Sequence, residues 1–545
     1  MKQYPASRIR NIVLLGHGGA GKTTFAEAML FNAKSTDRLG RVPDGNTTMD
    51  FDAEEIRRKF SINTAIAALE WKDSKINLLD TPGYFDFVGE VMQGLRVADG
   101  SVIVVLAKDG VAVGTEKSVK HIKRMNMPAF FFISKMEEDN ADFDKTLDQI
   151  RETFGASALP FCLPILEGGK MKGYVDLLDG KGYLCGTGGA VTEAPVPGGL
   201  ADRVAELREA LKESAAESDE ELMEKFFGGE DFSREDMIKG LGASLRAGSL
   251  RPVFCGSAAA NWAMKLVADR LVELMPSPAD AGTVSALAPD ESAITLRADE
   301  GEPLSAIVFK TIADPFVGRI SIFRVYSGTL RANSSVYNSV TEKDERIGSL
   351  FHMVGKKQLS ADAIVAGDIG AVTKLTATFT NDTLCDRTRP AILKKTLFPV
   401  PYLTMAVVGR AKGDEEKIMS GFSKLRDEDP TFIIRSDAET HQLLISGIGE
   451  QHLDVLCSKL KAKFNVEAVL TEPRVPYRET IRKKVNVEGK HKKQTGGHGQ
   501  YGHVWVEFEP GETEELMFEE KIFGGSVPKQ YHPAVEKGLQ DAVSR

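Results

Sequence analysis

The sequence predicts a multidomain α/β and β protein: a largely parallel α/β domain, a small β-barrel, an α+β (ferredoxin-like) domain and a further strand-rich segment. Three observations support this fold class. The chain has 545 residues, which at about 150 residues per domain corresponds to roughly three to five domains. Its first part alternates apolar strand-like runs with helical patterns. Its later parts change to short strands and then to a mixed pattern.

The first domain, predicted over residues 1–280, is defined by its apolar runs. Helical patterns such as TTFAEAMLFNA separate these runs, which is typical of a parallel sheet covered by helices. The run NWAMKLVADRLVELMPSP closes the domain with an amphipathic helix that stops before Pro276 and Pro278. The strand-like runs are NIVLL (11–15), KINLLD (75–80), SVIVVLA (101–107) and AFFFIS (129–134).

The remaining domains are predicted over residues 281–399, 400–475 and 476–545. Residues 279–303 have the composition of a polar linker. Short strands separated by turn residues follow and indicate a small β-barrel. The next domain mixes strands with helices at 414–427 and 450–463, which predicts a compact α+β unit. The barrel strands are AIVFKTI (306–312), ISIFRVYSGTL (320–330), SSVYNSV (334–340) and IGAVTKL (369–375).

Composition bounds the possible functions. The formal net charge of -9 excludes a global basic surface, so any nucleic-acid contact must be local. The five cysteines are far apart and include no CxxC pair, which argues against a zinc site or a disulfide framework. The N-terminus lacks an apolar signal-peptide core, and no apolar run reaches the ~20 residues that cross a bilayer. We expect a cytoplasmic, soluble monomer with no membrane partner.

A phosphate-binding loop is the strongest motif. GHGGAGKT (16–23) matches GxxxxGK[ST] and lies between a strand and a helix, as the motif requires. Lys22 is predicted to reach the β and γ phosphates, and the Thr23 hydroxyl is predicted to ligate Mg²⁺. The alternative, a glycine-rich turn with an exposed lysine, is disfavoured by this context. The predicted nucleotide-binding residues of this loop are His17, Gly18, Gly19, Ala20, Gly21, Lys22, Thr23 and Thr24.

A second motif, DTPGYFDF (80–87), follows the strand KINLLD. Asp80 is predicted to be a magnesium-side carboxylate, and Gly83 is predicted to lie at the nucleotide. The polar, charged segment 40–65 (hereafter the switch segment) is predicted to be a loop that the γ-phosphate and Mg²⁺ order. Ser61 is its candidate magnesium-side hydroxyl, although an ordinary surface hydroxyl is the default interpretation.

With the blocks GNTTMDFDAEEIRRKFSI, CGSAAAN, DEDPTF, SGIGEQHLDVL, PYRETI and TGGHGQYGHVW, these motifs resemble elongation factor G, a translational GTPase. The resemblance covers nearly the whole chain. It implies a GTP-binding domain with a small insertion (about 155–250), a β-barrel, an α+β domain and a partial fourth domain. It also implies GTP or GDP and Mg²⁺ as ligands and the ribosome as partner. The chain stops inside that fourth domain, and the family's fifth domain is expected to be absent from it.

The residue after DTPG departs from the family. Elongation factor G carries His there, and this chain has Tyr84. A phenol is a poor general base at neutral pH, but phosphoryl transfer depends mostly on positioning and electrostatics. With Lys22, Asp80 and Tyr84 as catalytic residues, we expect slow GTP hydrolysis that ribosomes stimulate. The alternative is a GTP-binding regulator of the ribosome with little or no hydrolysis. Lys59 also stands where the family has Gly.

The base-reading motif also departs. The family's Asn-Lys-x-Asp appears as Ser134, Lys135, Met136 and Glu137. A carboxylate at the last position pairs with the N1–H and exocyclic amine of guanine, so we expect a weakened guanine preference. Ser257 and Ala258, in CGSAA, match the family's other base-contacting loop.

The segment 478–493 is basic, with seven Lys or Arg against two Glu. A solvated charged face is the usual meaning of such a run. The resemblance implies instead that the adjoining loop TGGHGQ enters the decoding region, and the predicted RNA contacts are Lys492, Lys493, Gln494 and His498. Whether the protein acts in translocation, in recycling or in a specialised role stays open.

Overall fold

The structure is a computed structural model that describes residues 1–314, 318–410, 413–477, 479–513 and 516–543. The chain divides into two compact units, Met1–Pro473 and Arg474–Arg545.

An α/β domain begins the first unit. Its apolar strands are buried along their length because helices cover both sheet faces. The elements in chain order are β1 (Ile9–Gly16), α1 (Lys22–Asn32), α2 (Ala53–Arg58), β2 (Ala65–Trp71), β3 (Ser74–Asp80), α3 (Val88–Val97), β4 (Gly100–Leu106), α4 (Val113–Met125), β5 (Ala129–Ser134), α5 (Phe143–Phe154) and β6 (Ala158–Pro160).

The chain then leaves the sheet for a small insertion and returns to it. The insertion is an antiparallel sheet with helices beside it. Its elements and the two that follow are β7 (Cys162–Glu167), β8 (Lys170–Asp176), β9 (Lys181–Cys185), β10 (Val191–Ala194), α6 (Ala201–Ala216), α7 (Glu220–Phe227), α8 (Arg234–Ala247), β11 (Arg251–Cys255) and α9 (Met264–Leu274).

Within the α/β domain, the main sheet has the order β2-β3-β1-β4-β5-β11-β6. Every neighbouring pair in this series is parallel except β2 with β3, so the prediction of a largely parallel sheet is confirmed. The carboxyl ends of β1, β3, β5 and β11 therefore lie along one edge, where ligands of α/β sheets bind.

An antiparallel β domain follows, with its own core that includes Val308, Phe323 and Leu384. Its strands are β12 (Thr283–Leu287), β13 (Ala293–Arg297), β14 (Ser305–Asp314), β15 (Gly318–Ser327), β16 (Thr329–Arg331), β17 (Ser335–Asn338), β18 (Lys343–Arg346), β19 (Leu350–Val354), β20 (Lys357–Ala361), β21 (Ala363–Val365), β22 (Ile369–Thr373), β23 (Thr383–Cys385) and β24 (Ile392–Leu393).

The expectation of a polar linker at 279–303 is wrong. β12 and β13 form an antiparallel hairpin there, and β12 also pairs with β24. Ala286 and Leu296 are buried while their strand neighbours are more exposed. The apolar side of the hairpin is too short to stand out among polar residues, so composition alone indicates a linker.

The α+β domain consists of β25 (Leu403–Gly409), α10 (Glu415–Leu425), β26 (Ile433–Ser436), β27 (Leu443–Gly447), α11 (Glu450–Phe464) and β28 (Ala468–Thr471). The strand order β26-β27-β25-β28 with antiparallel pairing is the ferredoxin-like arrangement. Phe422, Phe432 and Leu453 belong to the core between sheet and helices.

The second unit contains a long hairpin, β29 (Val485–Thr495) and β30 (His498–Phe508), and the helix α12 (His532–Val543). Gly496 and Gly497 form the turn with φ values of 60° and 87°. A two-residue turn with both φ angles positive suits the twist of a hairpin and favours glycine.

The switch segment contains a short helix that periodicity does not predict. Asp52 caps α2, and a reciprocal capping box with Glu55 fixes its start. Lys59 ends the helix with φ 61° and ψ 32°, the left-handed conformation that glycine adopts most easily. This left-handed conformation is a physical reason for the glycine that the family has where this chain has Lys59.

We expect Lys59→Gly to stabilise the switch segment by about 1 kcal/mol, because the side chain's strain in the left-handed region is removed. Hydrogen–deuterium exchange of peptides that cover α2 should slow accordingly. As a control, Lys120→Gly at an exposed site of α4 should instead destabilise that helix by about 1 kcal/mol. Faster exchange of α2 in the Lys59 variant would contradict the strain argument.

Candidate nucleotide site

The predicted nucleotide-binding residues of the first unit share one edge of the main sheet. The phosphate loop (residues 16–23) joins β1 to α1, and Asp80 ends β3. Ser134 ends β5, and the loop with Ser257 and Ala258 follows β11. The topology therefore gathers phosphate-side and base-side candidates from segments far apart in the sequence.

Glycines of the phosphate loop have positive φ values, which residues other than glycine adopt rarely. Gly19 and Gly21 have φ values of 78° and 99°, and Gly21 is the N-cap of α1. Ala20 is buried, Gly19 is exposed, and His17, Gly18 and Thr24 are half-buried. The start of an eleven-residue helix adds partial positive charge where phosphate would lie.

Lys22 is held directly at this loop. Its side chain is buried, and Nζ donates to the carbonyls of Gly16 at 3.1 Å and His17 at 3.0 Å. Burial lowers the pKa of Lys22 to about 8, against the attraction of Asp80 and Asp50. A buried ammonium with carbonyl partners only is suited to exchange one of them for a phosphate oxygen.

Three oxygen-bearing side chains converge beside Lys22. Thr23 Oγ1 and Ser61 Oγ lie 2.9 Å apart, so the phosphate loop and the switch segment meet at their hydroxyls. Asp80 is 1% exposed, and its Oδ1 has no hydrogen-bond partner. Hydroxyl and carboxylate oxygens are the ligand types that Mg²⁺ prefers. The geometry brings together the three predicted magnesium-side residues.

The structure adds Asp50, which sequence reasoning missed. It is buried in the switch segment, and its Oδ2 also lacks a hydrogen-bond partner. Burial raises the pKa of Asp50 to about 7, and the charge of Asp80 adds to this shift. Burial likewise raises the pKa of Asp80 to about 7. Two buried carboxyls with unsatisfied oxygens form a site that a cation would stabilise.

Across the part of the chain that the structure describes, no group of three or more His, Cys, Asp or Glu side chains forms a metal cluster. A magnesium site in this fold does not require one, because the hydroxyls and the nucleotide's phosphates supply the other oxygens.

Tyr84 lies over the phosphate loop. A Cβ atom built on Gly18 would be 3.5 Å from its ring, so the ring rests directly on this glycine. On its other flank the Phe60 ring of the switch segment packs against it, with centroids 4.6 Å apart. The residue as a whole is 40% exposed. Tyr84 is thus positioned by both loops that would surround a γ-phosphate.

Gly83 allows this close approach. A Cβ atom at this position would come within 2.6 Å of Lys22 Nζ and 2.7 Å of Gly18 Cα. Contacts of that length with backbone atoms do not occur, so only glycine fits between the two segments.

On the base side, Ser134 supports the phosphate loop. Its buried Oγ lies 2.7 Å from the carbonyl of Ala20 and 3.1 Å from that of Val105. Ser134 therefore connects β5 to β4 and to the phosphate loop. Its hydroxyl makes these hydrogen bonds without the longer amide side chain that the family has at this position.

Glu137 is the candidate for base recognition that follows β5. Its Oε2 is buried and has no hydrogen-bond partner. A buried carboxylate oxygen without a donor is unfavourable, and the N1–H and exocyclic amine of guanine would satisfy it. The neighbouring Lys135 pairs with Glu138 at 3.2 Å, both partly exposed.

Hydrogen bonds hold the second base-side loop in place. Ser257 is fully buried, and its Oγ accepts the N–H of Ala260 at 2.9 Å. Met136 N donates to the carbonyl of Gly256 at 3.2 Å, which brings this loop against the Ser134–Glu137 segment. Ala258 is buried beside it.

We expect Glu137→Ala to lower the preference for GTP over ATP by at least about tenfold, since the variant has no charged acceptor for the guanine N–H groups. A competition titration with a fluorescent guanine nucleotide would measure the ratio. Glu152→Ala, which removes an exposed carboxylate of α5, is the control and should leave the ratio unchanged. An unchanged ratio in the Glu137 variant would remove this residue from base recognition.

Two buried glutamates, also missed from the sequence, hold the switch segment. Glu27 Oε1 on α1 accepts the N–H groups of Thr48 at 2.6 Å and Met49 at 3.0 Å. Glu55 Oε1 accepts those of Ile62 at 3.0 Å and Asn63 at 2.8 Å. Because the donors are backbone N–H groups, no sequence motif in the switch segment predicts these contacts.

A third glutamate connects the switch segment to the β domain. Glu90 on α3 accepts the N–H of Thr64 at 2.5 Å. Lys310 of β14 donates to both Glu90 oxygens, at 2.7 and 2.6 Å, and both side chains are largely buried. Because removing either partner would leave a buried charge uncompensated, a movement of α3 or β14 that separates Glu90 from Lys310 would be unfavourable.

The α+β domain contacts both motifs as well. Asp454 pairs with Arg58 of the switch segment at 2.5 Å. The backbone N–H of His452 donates to Asp86 of DTPGYFDF at 3.3 Å, and the Nε2 atom of His452 lies 2.8 Å from Asp429. Burial opposes ionisation of Asp429, but its hydrogen bond with His452 holds the pKa of the carboxyl well below its usual range.

The predicted RNA contacts belong to the second unit. Lys492, Lys493 and Gln494 are exposed on β29, and His498 is exposed at the start of β30. All four lie at the turn end of the hairpin. Arg478, which the basic run also includes, lies outside the described residues.

Four family models and one solved structure match this chain. The matching family models are the Elongation factor Tu GTP binding domain (residues 7–277), Elongation factor G domain 2 (303–387), Elongation Factor G, domain III (398–472), and Elongation factor G, domain IV (473–545). A protein of Thermus thermophilus known from a crystal structure is 34% identical, with a TM-score of 0.86 over 98% of this chain and 78% of that chain.

The fold and the sheet edge define a P-loop nucleoside triphosphatase. The chain belongs to the elongation factor G-like translational GTPases, and it is a hydrolase that binds guanine nucleotides and serves as a GTP-dependent translation factor. Helices in the described ranges are too short or too polar to cross a bilayer.

Proposed function

We propose that this chain binds GTP with Mg²⁺, hydrolyses it slowly when it docks on the ribosome, and converts hydrolysis into a translocation-like or recycling-like rearrangement. The observation that carries the proposal is the position of Tyr84, whose ring is held between Gly18 and Phe60 at the phosphate loop.

The residues fit a magnesium ion. Thr23, Ser61 and Asp80 would hold the ion. The hydroxyls of Thr23 and Ser61 lie next to each other, and one carboxylate oxygen of Asp80 has no hydrogen-bond partner. Asp50 adds a second buried carboxyl beside them. When bound, the ion neutralises charge on the phosphate oxygens.

The chain's own groups supply the remaining chemistry. Lys22 places a positive charge at the β and γ phosphates, and helix α1 directs its N-terminal N–H groups to the same place. The hydroxyl of Tyr84 can both donate and accept, so it orients a water molecule without removing its proton. The phosphate product accepts that proton. Hydrolysis that rests on orientation alone is expected to be slow without further alignment by the ribosome.

Loss of the γ-phosphate would release Ser61 and so loosen the switch segment. Two contacts would transmit this change: Thr64 through Glu90 to Lys310 of the β domain, and Arg58 to Asp454 of the α+β domain. Both contacts connect the switch segment to domains outside the α/β domain, which is what a rearrangement driven by hydrolysis requires.

The deciding experiment measures phosphate release from GTP with and without ribosomes, for the natural chain, Tyr84→Phe and Tyr84→His. Ribosomes should stimulate phosphate release by the unsubstituted chain. Tyr84→Phe should reduce that stimulation at least about tenfold, and Tyr84→His should change it little. Tyr402→Phe, at an exposed tyrosine of the α+β domain, is the control.

Tight GTP binding without release by the natural chain would overturn hydrolysis. In that case Tyr84→His should create ribosome-stimulated turnover, and the chain would be a GTP-binding regulator of the ribosome.

A further inference from the structure

The two faces of the β29–β30 hairpin differ in chemistry. The register places Val485, Val487, Val504, Val506 and Phe508 on one face. The alternate positions on the other face are mostly charged or polar. Val485 and Val487 are 43% and 47% exposed, so the two faces differ in the chemistry of their side chains and not in burial.

Two large aromatic side chains interrupt the polar face. Trp505 is 68% exposed and Tyr501 is 67% exposed. Strand residues two apart are ~6.7 Å from each other, so Tyr501, His503 and Trp505 form one row along β30. The rings of Tyr501 and His503 contact at 6.4 Å between centroids. An aromatic row set among charged and polar side chains has the chemistry of a stacking surface and so indicates a binding surface.

The same face carries two lysines, Lys490 and Lys492. Lys492 lies directly opposite Tyr501, and Lys490 lies opposite His503. The acidic residues of the face have partners, Glu488 with His503 at 2.8 Å and Glu507 with Lys484 at 2.6 Å. In contrast, Lys490 and Lys492 form no ion pair within the described part of the chain.

We propose that this face, defined by Tyr501, His503, Trp505, Lys490 and Lys492 and called the aromatic face below, binds unpaired RNA by stacking. Bases would stack on Tyr501 and Trp505, and the lysines would contact the adjoining phosphates. Sheet surfaces with exposed aromatic residues recognise single-stranded RNA in this way. Uncompensated lysines favour this polyanion over an apolar protein partner.

The proposal rests on the ribosome contact of the proposed function, and it assigns base stacking to residues outside the predicted tip contacts. It also predicts tolerance of sequence, because every base offers a face for stacking.

The test follows tryptophan emission of the full chain during titration with a single-stranded adenylate RNA of about six nucleotides. Stacking on Trp505 should quench emission of the natural chain and not that of Trp505→Phe. An RNA duplex and inorganic polyphosphate, which offer charge without accessible base faces, should not produce this quenching.

Affinity measurements complete the test. Trp505→Ala should weaken binding of the same RNA at least about fivefold. Lys490→Met, which leaves the predicted contact Lys492 in place, should make the slope of log affinity against log salt shallower by about 0.7 if one phosphate is no longer neutralised. Phe523→Ala, at a fully exposed ring of the same unit, is the matched control and should leave affinity unchanged.

Equal quenching by polyphosphate, or natural affinity in Trp505→Ala, would overturn the stacking assignment. Absence of RNA binding together with capture of ribosomal protein would assign the aromatic face to a protein partner instead. GTP turnover without ribosomes should be unaffected by Trp505→Ala, so failure of this inference can be distinguished from failure of the proposed hydrolysis.

Discussion

Lys22→Met is expected to lower kcat/KM for GTP by on the order of 10²–10³, which is the usual loss when one preorganised donor to a developing oxyanion is removed. The substitution preserves the length and most of the apolar stem of a buried side chain. It deletes the charge that now lies at the carbonyls of Gly16 and His17. Steady-state phosphate release with ribosomes, together with nucleotide affinity, would measure the effect.

Lys265→Met, at an exposed lysine of α9, serves as the control for charge removal in general. Circular dichroism should show that the Lys22 variant retains its fold, because that lysine makes no ion pair among the described residues. A kcat/KM in the Lys22 variant equal to that of the unsubstituted chain would contradict the assignment of the phosphate site.

Gly83→Ala is expected to reduce ribosome-stimulated turnover by about 10² or more, since a misplacement of ~1 Å in a catalytic arrangement has effects of that size. The added methyl group would meet Lys22 Nζ at 2.6 Å and the backbone of Gly18 at 2.7 Å. The segment that carries Tyr84 must therefore move away from the phosphate loop. Nucleotide binding should weaken less than turnover, because most of the loop's N–H groups stay in place.

Single-turnover kinetics would separate the two effects. Gly198→Ala is a suitable control, because a Cβ atom there meets nothing within 4 Å. A Gly83 variant that binds and turns over GTP normally would show that the close approach seen here is not needed for catalysis.

The side chains at positions 60 and 84 are connected in the structure. The Tyr84 ring needs more room than an imidazole, and Gly18 supplies it on one side. Phe60 then covers the ring on the other side. Aromatic pairs at this separation contribute about 0.5–1.5 kcal/mol beyond their buried area, so Phe60 restricts the directions available to the Tyr84 hydroxyl.

The sequence by itself determined the elements whose signals are local. The apolar runs of β1, β3, β4 and β5 predicted the parallel sheet, because strands buried on both faces are continuously apolar. The glycine and lysine pattern of residues 16–23 predicted the phosphate loop, because its spacing follows from the backbone conformation that phosphate requires. The domain order followed from the change in periodicity along the chain, and the family resemblance agreed with it.

Only the tertiary structure decided how the switch segment is held. Glu27, Glu55 and Glu90 each accept backbone N–H groups from it, and a backbone donor has no residue type that a sequence could display. Asp50 was hidden for a related reason: its unpartnered oxygen and raised pKa arise from burial beside Asp80, which belongs to a different element of the chain. Burial and the meeting of distant segments are properties of the packed chain, so they appear only once the sheet has brought these residues to one edge.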